Sequence, residues 1–320
     1  MTPVQIRAAP FKIEGNEVEF ANYNEADLPG VADLVQKAFP LHEITIKSIR
    51  RIILEDPNFL PGDLLVAKDG GKLLGAVLGA RYRRVPEERR NRPSSFLKFI
   101  CTSPFDEPLM NDLCGTMEDH LKKEGSERLE YSAFASWHLL PGVDLRYEKL
   151  LDFLLNRGFR KTGECVDYVI DLQAFRVPRR VSRLEEEITS GGITLRLAEP
   201  GEKGRVEDFV RAKSGFSWSY EASRAVGPRG SGVWLAEEGG EIIAFSIFGS
   251  LEHHWFGPIG VDEARRKRGL GTVLLFKTLN TMVDLGISRA IIPWTGHLFF
   301  YSQVPGIVGI RHYWMMGKDL

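Results

Sequence analysis

Two stretches of this chain, 169 positions apart, carry one pattern. Leu65-Val-Ala-Lys-Asp-Gly-Gly-Lys-Leu-Leu-Gly-Ala-Val-Leu78 aligns without a gap on Trp234-Leu-Ala-Glu-Glu-Gly-Gly-Glu-Ile-Ile-Ala-Phe-Ser-Ile247. In each, an acidic residue and Gly-Gly separate a pair of apolar runs, and glycine accepts the positive φ of a tight turn, so both read as β-hairpins. Upstream, Asp27 to Phe39 and Glu202 to Ala212 place apolar residues at helical spacing, with Asp33-Leu34-Val35 echoed by Asp208-Phe209-Val210. A duplicated unit follows. With 320 residues against ~150 for one compact domain, each copy is long enough to bury a core of its own.

Between the copies, Val177 to Gly192 carries Arg179, Arg180, Arg183 and Glu185 to Glu187 and ends in Ser190-Gly191-Gly192. It reads as a linker with, at most, a short solvated helix. The expected division is therefore residues 1–175, a linker over 176–192, and residues 193–320. After a strand at Ile193–Leu197, the second copy reads helix, helix, three strands, helix, strand, helix, strand. The last five of these are placed at Trp255–Val261, Gly269–Leu285, Ser288–Trp294, Leu298–Gln303 and Ile307–Met316. Such alternation predicts an α/β fold, a mixed sheet covered by helices.

Forty-two Lys and Arg against 43 Asp and Glu leave a net charge of −1, so no global field holds this molecule on nucleic acid or anionic lipid. The apolar runs stop well short of the ~20 residues of a membrane span. Cys101, Cys114 and Cys165 are an odd count without C-x-x-C spacing, and Met1 to Pro10 lacks a basic-then-apolar leader pattern. The expectation is a cytoplasmic protein with no nucleic-acid and no membrane partner.

The sharpest local feature is Val261-Asp-Glu-Ala-Arg-Arg-Lys-Arg-Gly-Leu-Gly-Thr272, a strand end that runs through four basic residues into a glycine-punctuated helix start. Free N–H groups of a first helical turn point outward, and glycine removes the side chains that would hold an anion away. The helix dipole contributes about 0.3 to 1 kcal/mol and each charge-assisted hydrogen bond about 1.5 to 3, so amides and arginines dominate. No Lys-Ser/Thr follows the glycines as in a Walker loop, and the third glycine of the dinucleotide fingerprint is missing.

Arg266-Lys-Arg-Gly269-Leu-Gly271 resembles the Q/R-x-x-G-x-G/A signature of the GNAT superfamily of N-acetyltransferases, and the order strand, signature, helix, strand, Phe300-Tyr301 fits that superfamily. Through the repeat, the resemblance extends over both copies and implies two tandem GNAT-like acyl-CoA N-acyltransferase domains. It further implies that the backbone of Ile259, Gly260 and Val261 pairs with the pantetheine arm of acetyl-coenzyme A, and that Arg266, Lys267, Arg268, Gly269, Leu270, Gly271 and Thr272 hold its pyrophosphate. Tyr301 then resembles the general acid beside the coenzyme sulfur. An acceptor amine must lose a proton before attack, and Glu252, His253 and His254 lie just before the strand that leads to the loop. Glu252 and His254 are the candidate bases, with water as an alternative. All three cysteines lie away from the glycine loop, so direct transfer, without a metal, is expected. Phe256-Gly-Pro-Ile-Gly-Val261 and Pro293 to Tyr301 look like tandem enzymes that acetylate glucosamine or glucosaminides, and Trp218 and Tyr220 are the candidate acceptor-binding residues. The acceptor is thus a small-molecule primary amine. A non-catalytic acyl-coenzyme A binding or interaction module, and a protein or peptide N-acetyltransferase, stand as alternatives.

In the first copy the corresponding strand, Phe96 to Thr102, brings Asp106-Glu-Pro-Leu-Met-Asn-Asp112 to the place of the glycine loop. Its carboxylates repel a pyrophosphate and Pro108 lacks an amide donor, so this copy is expected to be degenerate. A run of arginines there (Arg81, Arg83, Arg84, Arg89, Arg90 and Arg92) is either a place for a phosphorylated or acidic acceptor or a solvated loop.

Overall fold

The computed structural model describes residues 11–13, 16–84 and 94–320. The chain forms two compact units, Met1–Glu164 with Tyr313–Leu320, and Cys165–His312. The division thus falls earlier than residue 175, and the final eight residues belong with the first unit.

In the first unit β1 (Phe11–Ile13), β2 (Asn16–Asn22), β3 (Leu64–Asp69), β4 (Lys72–Ala80) and β5 (Ser94–Thr102) pair antiparallel in order. β6 (Arg128–Tyr131) joins β5 in parallel. Helices α1 (Leu28–Ala38) and α2 (Ile46–Ile53) precede β3, and α3 (Glu107–Lys123) links β5 to β6. Leu28, Val31, Leu34 and Val35 make the inner face of α1, and Leu109, Met110, Leu113, Met117 and Leu121 that of α3. Both helices pack on β4 and β5. Burying each such side chain contributes about 1.5 to 3 kcal/mol. After β6 come β7 (Val143–Asp144) and α4 (Glu148–Asn156). The terminal residues Met316–Asp319 pair antiparallel with β6.

β8 (Arg160–Asp171) leads into the second unit, which continues with α5 (Arg179–Ser190), β9 (Ile193–Leu197), α6 (Lys203–Ser214), α7 (Phe216–Ala225), β10 (Gly232–Glu238), β11 (Glu241–Phe248), β12 (Phe256–Val261), α8 (Leu270–Asp284), β13 (Arg289–Thr295), α9 (Leu298–Tyr301) and the part of β14 (Ile307–Asp319) before Tyr313. The element order is the expected one. The expected linker, however, contains α5, twelve residues long. Val181, Leu184 and Ile188 recur at i, i+3 and i+7, and this stripe packs into the core around α8.

The sheet β12-β11-β10-β9 has a core on each face. One contains Leu274, Leu275, Phe276 and Leu279 of α8 with Val181 and Ile188 of α5. The other contains Val206 and Val210 of α6, Ala222 and Ala225 of α7, and Leu235, Phe245 and Ile247 of the strands. Polar pairs fix α8 in place: Thr278 Oγ1 donates to Ser246 Oγ at 2.9 Å, and Trp234 Nε1 donates to Thr281 Oγ1 at 2.9 Å.

The two hairpins read from sequence form with identical registers. Ala67 faces Gly75 and Lys68 faces Leu73, with an irregularity between Ala67 and Lys68. In the second unit Ala236 faces Ala244 and Glu237 faces Ile242, with the irregularity at the same place. Gly70 and Gly71, at φ +53° and +86°, match Gly239 and Gly240, at +61° and +87°.

Candidate functional site

β12 is an edge strand. On one side it pairs antiparallel with β11, Val261 facing Ala244, Gly260 facing Phe245 and Ile259 facing Ser246. Asp262 N donates to Ile243 O at 2.8 Å. In an antiparallel ladder, residues alternate between bonding the partner and facing away from it. Gly260 therefore bonds β11, whereas the backbone groups of Ile259 and Val261 point to the outer edge. Of the three backbone positions singled out in sequence, two are turned outward.

On that outer side Trp255, just before β12, makes a parallel bridge with Ile291 of β13, where Ile291 N donates to His254 O at 2.9 Å. β13 then pairs with β8, Ile291 opposite Val169 and Ile292 opposite Tyr168. A register shift follows between Ile292 and Thr295, at Trp294, whose φ is +47°. The buried Asp167 carboxylate holds this bend by accepting from Trp294 N at 2.9 Å. Beyond the bridge no ladder joins β12 to β13 among the described residues.

Beyond Val261 the chain makes a short 3₁₀ turn, Glu263–Arg265, capped by the Asp262 side chain on Ala264 N at 3.0 Å. Lys267 and Gly269 have φ +64° and +80°. Left-handed backbone around Arg268 is the kind of alternation that gathers peptide N–H groups into an anion-binding concavity. Gly269 is the N-cap of the fifteen-residue α8 and supplies no side-chain cap. The N–H groups of Leu270, Gly271 and Thr272 consequently have no acceptor in their own helix. Gly269 is also demanded by packing, since a Cβ there would lie 2.5 Å from Leu184 Cδ2. A Cβ on Gly271 would meet Phe300 Cζ at 3.5 Å and Val261 Cγ2 at 3.6 Å, ordinary contacts.

The four cations of the loop fall into two pairs. Arg265 and Arg268 pair with Glu238 of β10 at 2.7 and 3.1 Å. Arg266 is 59% exposed and pairs with Glu263, itself 85% exposed, and Lys267 is exposed. Arg266 and Lys267 are thus the charges most easily redirected toward an anion, because an exposed pair is worth at most about 1 kcal/mol. Sequence reasoning treated the basic residues as equivalent. The acidic end of the β10 hairpin was the signal that distinguishes them.

Tyr301, at the end of α9, is 8% exposed. Its ring lies against Phe300, Phe256 and Tyr168, with centroids 4.9, 6.2 and 6.3 Å away. Burial raises its phenol well above the usual range and so keeps the proton on it. Through Phe256 it touches the first residue of β12, and through Phe300 the first turn of α8. His254 is buried beside the Trp255 bridge, with its ring 4.8 Å from that of exposed His253. Glu252 is half-buried in the same turn and its carbonyl accepts from Trp255 N at 2.9 Å.

Trp218 of α7 is 39% exposed and stands edge-on to Phe245, centroids 6.3 Å apart. Phe245 lies so close to β12 that a Cβ on Gly260 would sit 2.5 Å from its ring. Trp218 is therefore one aromatic ring removed from the open-edged strand. Tyr220 is half-buried, and Arg224 Nη1 donates to its hydroxyl at 3.3 Å. Arg224, which sequence reasoning missed, also donates through Nε to Ser250 O at 3.2 Å. Its spacing of four from Tyr220 was the available signal.

The equivalent helix start in the first unit is closed. Asp106 is the N-cap of α3, accepting from Leu109 N at 2.9 Å, while Asp106 N donates to Thr102 Oγ1 at 2.7 Å. Pro108 occupies the first turn. Of the arginine run, Arg83 donates to Asp63 at 2.7 and 2.9 Å and to Glu124 at 3.1 Å. Its guanidinium is thus committed to carboxylates of its own unit. Arg89, Arg90 and Arg92 lie outside the described residues.

Residues 202–297 match the model of the acetyltransferase (GNAT) family. No curated protein matches the chain in sequence. Among solved structures, it is similar to the GCN5-related glucosamine N-acetyltransferase region of a fungal multi-domain GH3 β-N-acetylglucosaminidase, at 18% identity over 96% of this chain with a TM-score of 0.71, and spans 38% of that protein's length. A GCN5-related N-acetyltransferase from Sphaerobacter thermophilus matches at 16% identity and TM-score 0.65, over 94% of this chain and 95% of that one. A tandem GNAT protein from the clavulanic acid biosynthesis pathway matches at 14% and 0.62, over 95% and 98%. Among the described residues no helix is long and apolar enough to cross a membrane.

Proposed function

We propose that the second unit, whose residues 202–297 match the acetyltransferase (GNAT) family, is the catalytic half of a tandem GNAT fold, and that the protein transfers acetyl from acetyl-coenzyme A directly to a primary amine of a small amino sugar, glucosamine being the model acceptor. The observation that carries this reading is the pairing of a strand edge, open at Ile259 and at Val261 N while Val261 O accepts from Arg266, with an uncapped helix start at Gly269 to Thr272. An extended pantetheine arm can take the strand-edge hydrogen bonds. Its pyrophosphate can take the amides of α8 together with Arg266 and Lys267.

The chemistry follows from those positions. A neutral amine attacks the thioester carbonyl, a C–N bond forms, and the tetrahedral intermediate collapses by breaking the C–S bond. Tyr301, kept protonated by burial, delivers a proton to the departing thiolate. The amine's proton leaves toward Glu252 or His254 in the turn before β12, directly or over water. The amino-sugar assignment draws on the glucosamine N-acetyltransferase region named among the similar structures and on the half-exposed Trp218, whose face suits a sugar ring. The first unit, whose α3 start is occupied by its own Asp106, serves as a scaffold that does not bind the coenzyme. The cytoplasm is the proposed location, in keeping with three free, buried cysteines.

Release of coenzyme A thiol, followed with acetyl-coenzyme A and a panel of amines that includes glucosamine, tests the reading. Turnover with initial-rate lines that intersect in both substrates is expected. Parallel lines would refute direct transfer. Tight coenzyme binding without thiol release on any amine would make the protein an acyl-coenzyme A sensor instead.

A further inference from the structure

We propose that Arg224 is the positioning residue for the amine acceptor, setting acceptor affinity without touching the reacting atoms. This rests on the acetyl-transfer reading above. Arg224 stands one turn after Tyr220 on α7, with its guanidinium carbon 5.7 Å from the Tyr220 ring centroid. Nη1 donates to the Tyr220 hydroxyl at 3.3 Å and Nε to Ser250 O at 3.2 Å. One planar group therefore ties the aromatic wall of α7 to the turn between β11 and β12, which carries Glu252 and His254.

That turn is held at its base. Gly249 N donates to Trp255 O at 2.9 Å. Gly249 has φ +69°, and a Cβ on it would lie 2.5 Å from Gly230 O. Arg224 grips it at Ser250, the residue next to that base. Loosening that grip changes the spacing between Tyr220 and the turn and leaves the coenzyme loop, on the far end of β12, as it was. A guanidinium can donate in two fixed directions while lying near an aromatic ring, whereas a lysine ammonium keeps the charge and loses this geometry.

The test compares wild type, Arg224→Lys and Arg224→Ala in the full-length protein. For both variants the acceptor KM is expected to rise about tenfold, equivalent to about 1.4 kcal/mol. The KM for acetyl-coenzyme A is expected to stay within about twofold. Arg224→Lys is expected to melt like wild type, separating the effect from misfolding. A second readout needs no turnover: quenching of tryptophan fluorescence as glucosamine is titrated into coenzyme A-loaded protein, with Trp218→Phe as the blank, should show the same weakening. Unchanged acceptor KM and unchanged quenching in Arg224→Lys overturn the proposal, as does a parallel rise in both KM values. Wild-type protein that binds glucosamine without acetylating it overturns the acetyl-transfer reading and leaves Arg224 to be judged by quenching. Wild-type protein that neither binds nor acetylates any amine overturns both.

Discussion

Gly271→Asp separates ligand binding from folding at the start of α8. Gly269 is unsuitable for that purpose, because its φ of +80° and the Leu184 side chain 2.5 Å from any Cβ make every substitution there a structural lesion. At Gly271 a Cβ meets only ordinary contacts. An aspartate in the first helical turn has a helix propensity no worse than glycine's and gains about 0.3 to 1 kcal/mol from the dipole. The variant should therefore melt no lower than wild type. Its carboxylate, however, stands where the proposed pyrophosphate approaches. At a separation of ~5 Å and an effective dielectric constant of ~20, each pair of like charges repels by about 3 kcal/mol, more than 100-fold in Kd. Isothermal titration of coenzyme A, paired with a thermal melt, measures both sides of the argument. The difference from wild type should shrink in about 1 M salt, where the screening length falls to ~3 Å. A stable variant that binds coenzyme A within about threefold of wild type would refute the placement of the phosphates at α8.

Tyr301→Phe should lower kcat by about 10² or more with little change in either KM, as loss of a general acid does. In the wild-type pH profile, burial raises the phenol from its ordinary value of 10.0, so the acid form persists through that pH and no fall in rate from its ionisation should appear below it. Asp106→Ala should cost about 1 kcal/mol in urea unfolding, through loss of the α3 cap, and should not alter the stoichiometry of coenzyme binding. Hydrogen bonds from Arg196, then from Glu199 N, bring Glu202 down to about 2 from 4.5. A depressed carboxylate stabilises the fold above its unfolded value and ceases to do so as pH falls through the folded one. The contribution is thus full above pH 4.5 and disappears toward pH 2. Replacing Arg196 by Met should move the acid-unfolding midpoint upward, as followed by circular dichroism; an unmoved midpoint would show that the pair does not matter to acid stability.

What could be read from sequence were features whose cause is local. The Gly70-Gly71 and Gly239-Gly240 turns follow from the positive φ that glycine tolerates, and the start of α8 at Leu270 follows from the glycines around it. Three features resisted for distinct reasons. The stripe Val181, Leu184, Ile188 was outweighed by the charged residues between its members, so a core helix looked like a linker. The hold of Glu238 on Arg265 and Arg268 joins residues some thirty positions apart and becomes visible only once the β10 hairpin is folded beside the loop. Asp106 was read as a charge that repels phosphate, whereas Asp-Glu-Pro is also the start signal of a helix, and the structure uses it that way.

The outward-facing peptide groups of β12 have a further consequence. Arg266 Nε reaches Val261 O at 3.4 Å, which shields one carbonyl and leaves the neighbouring edge groups as a template for any extended chain that drifts past. A bound co-substrate would act as a surrogate strand, occupying the rim that otherwise invites adhesion between molecules. Colloidal behaviour and substrate supply would then be linked: concentrated protein should stay dispersed longer when the nucleotide thiol is present than when it has been dialysed away.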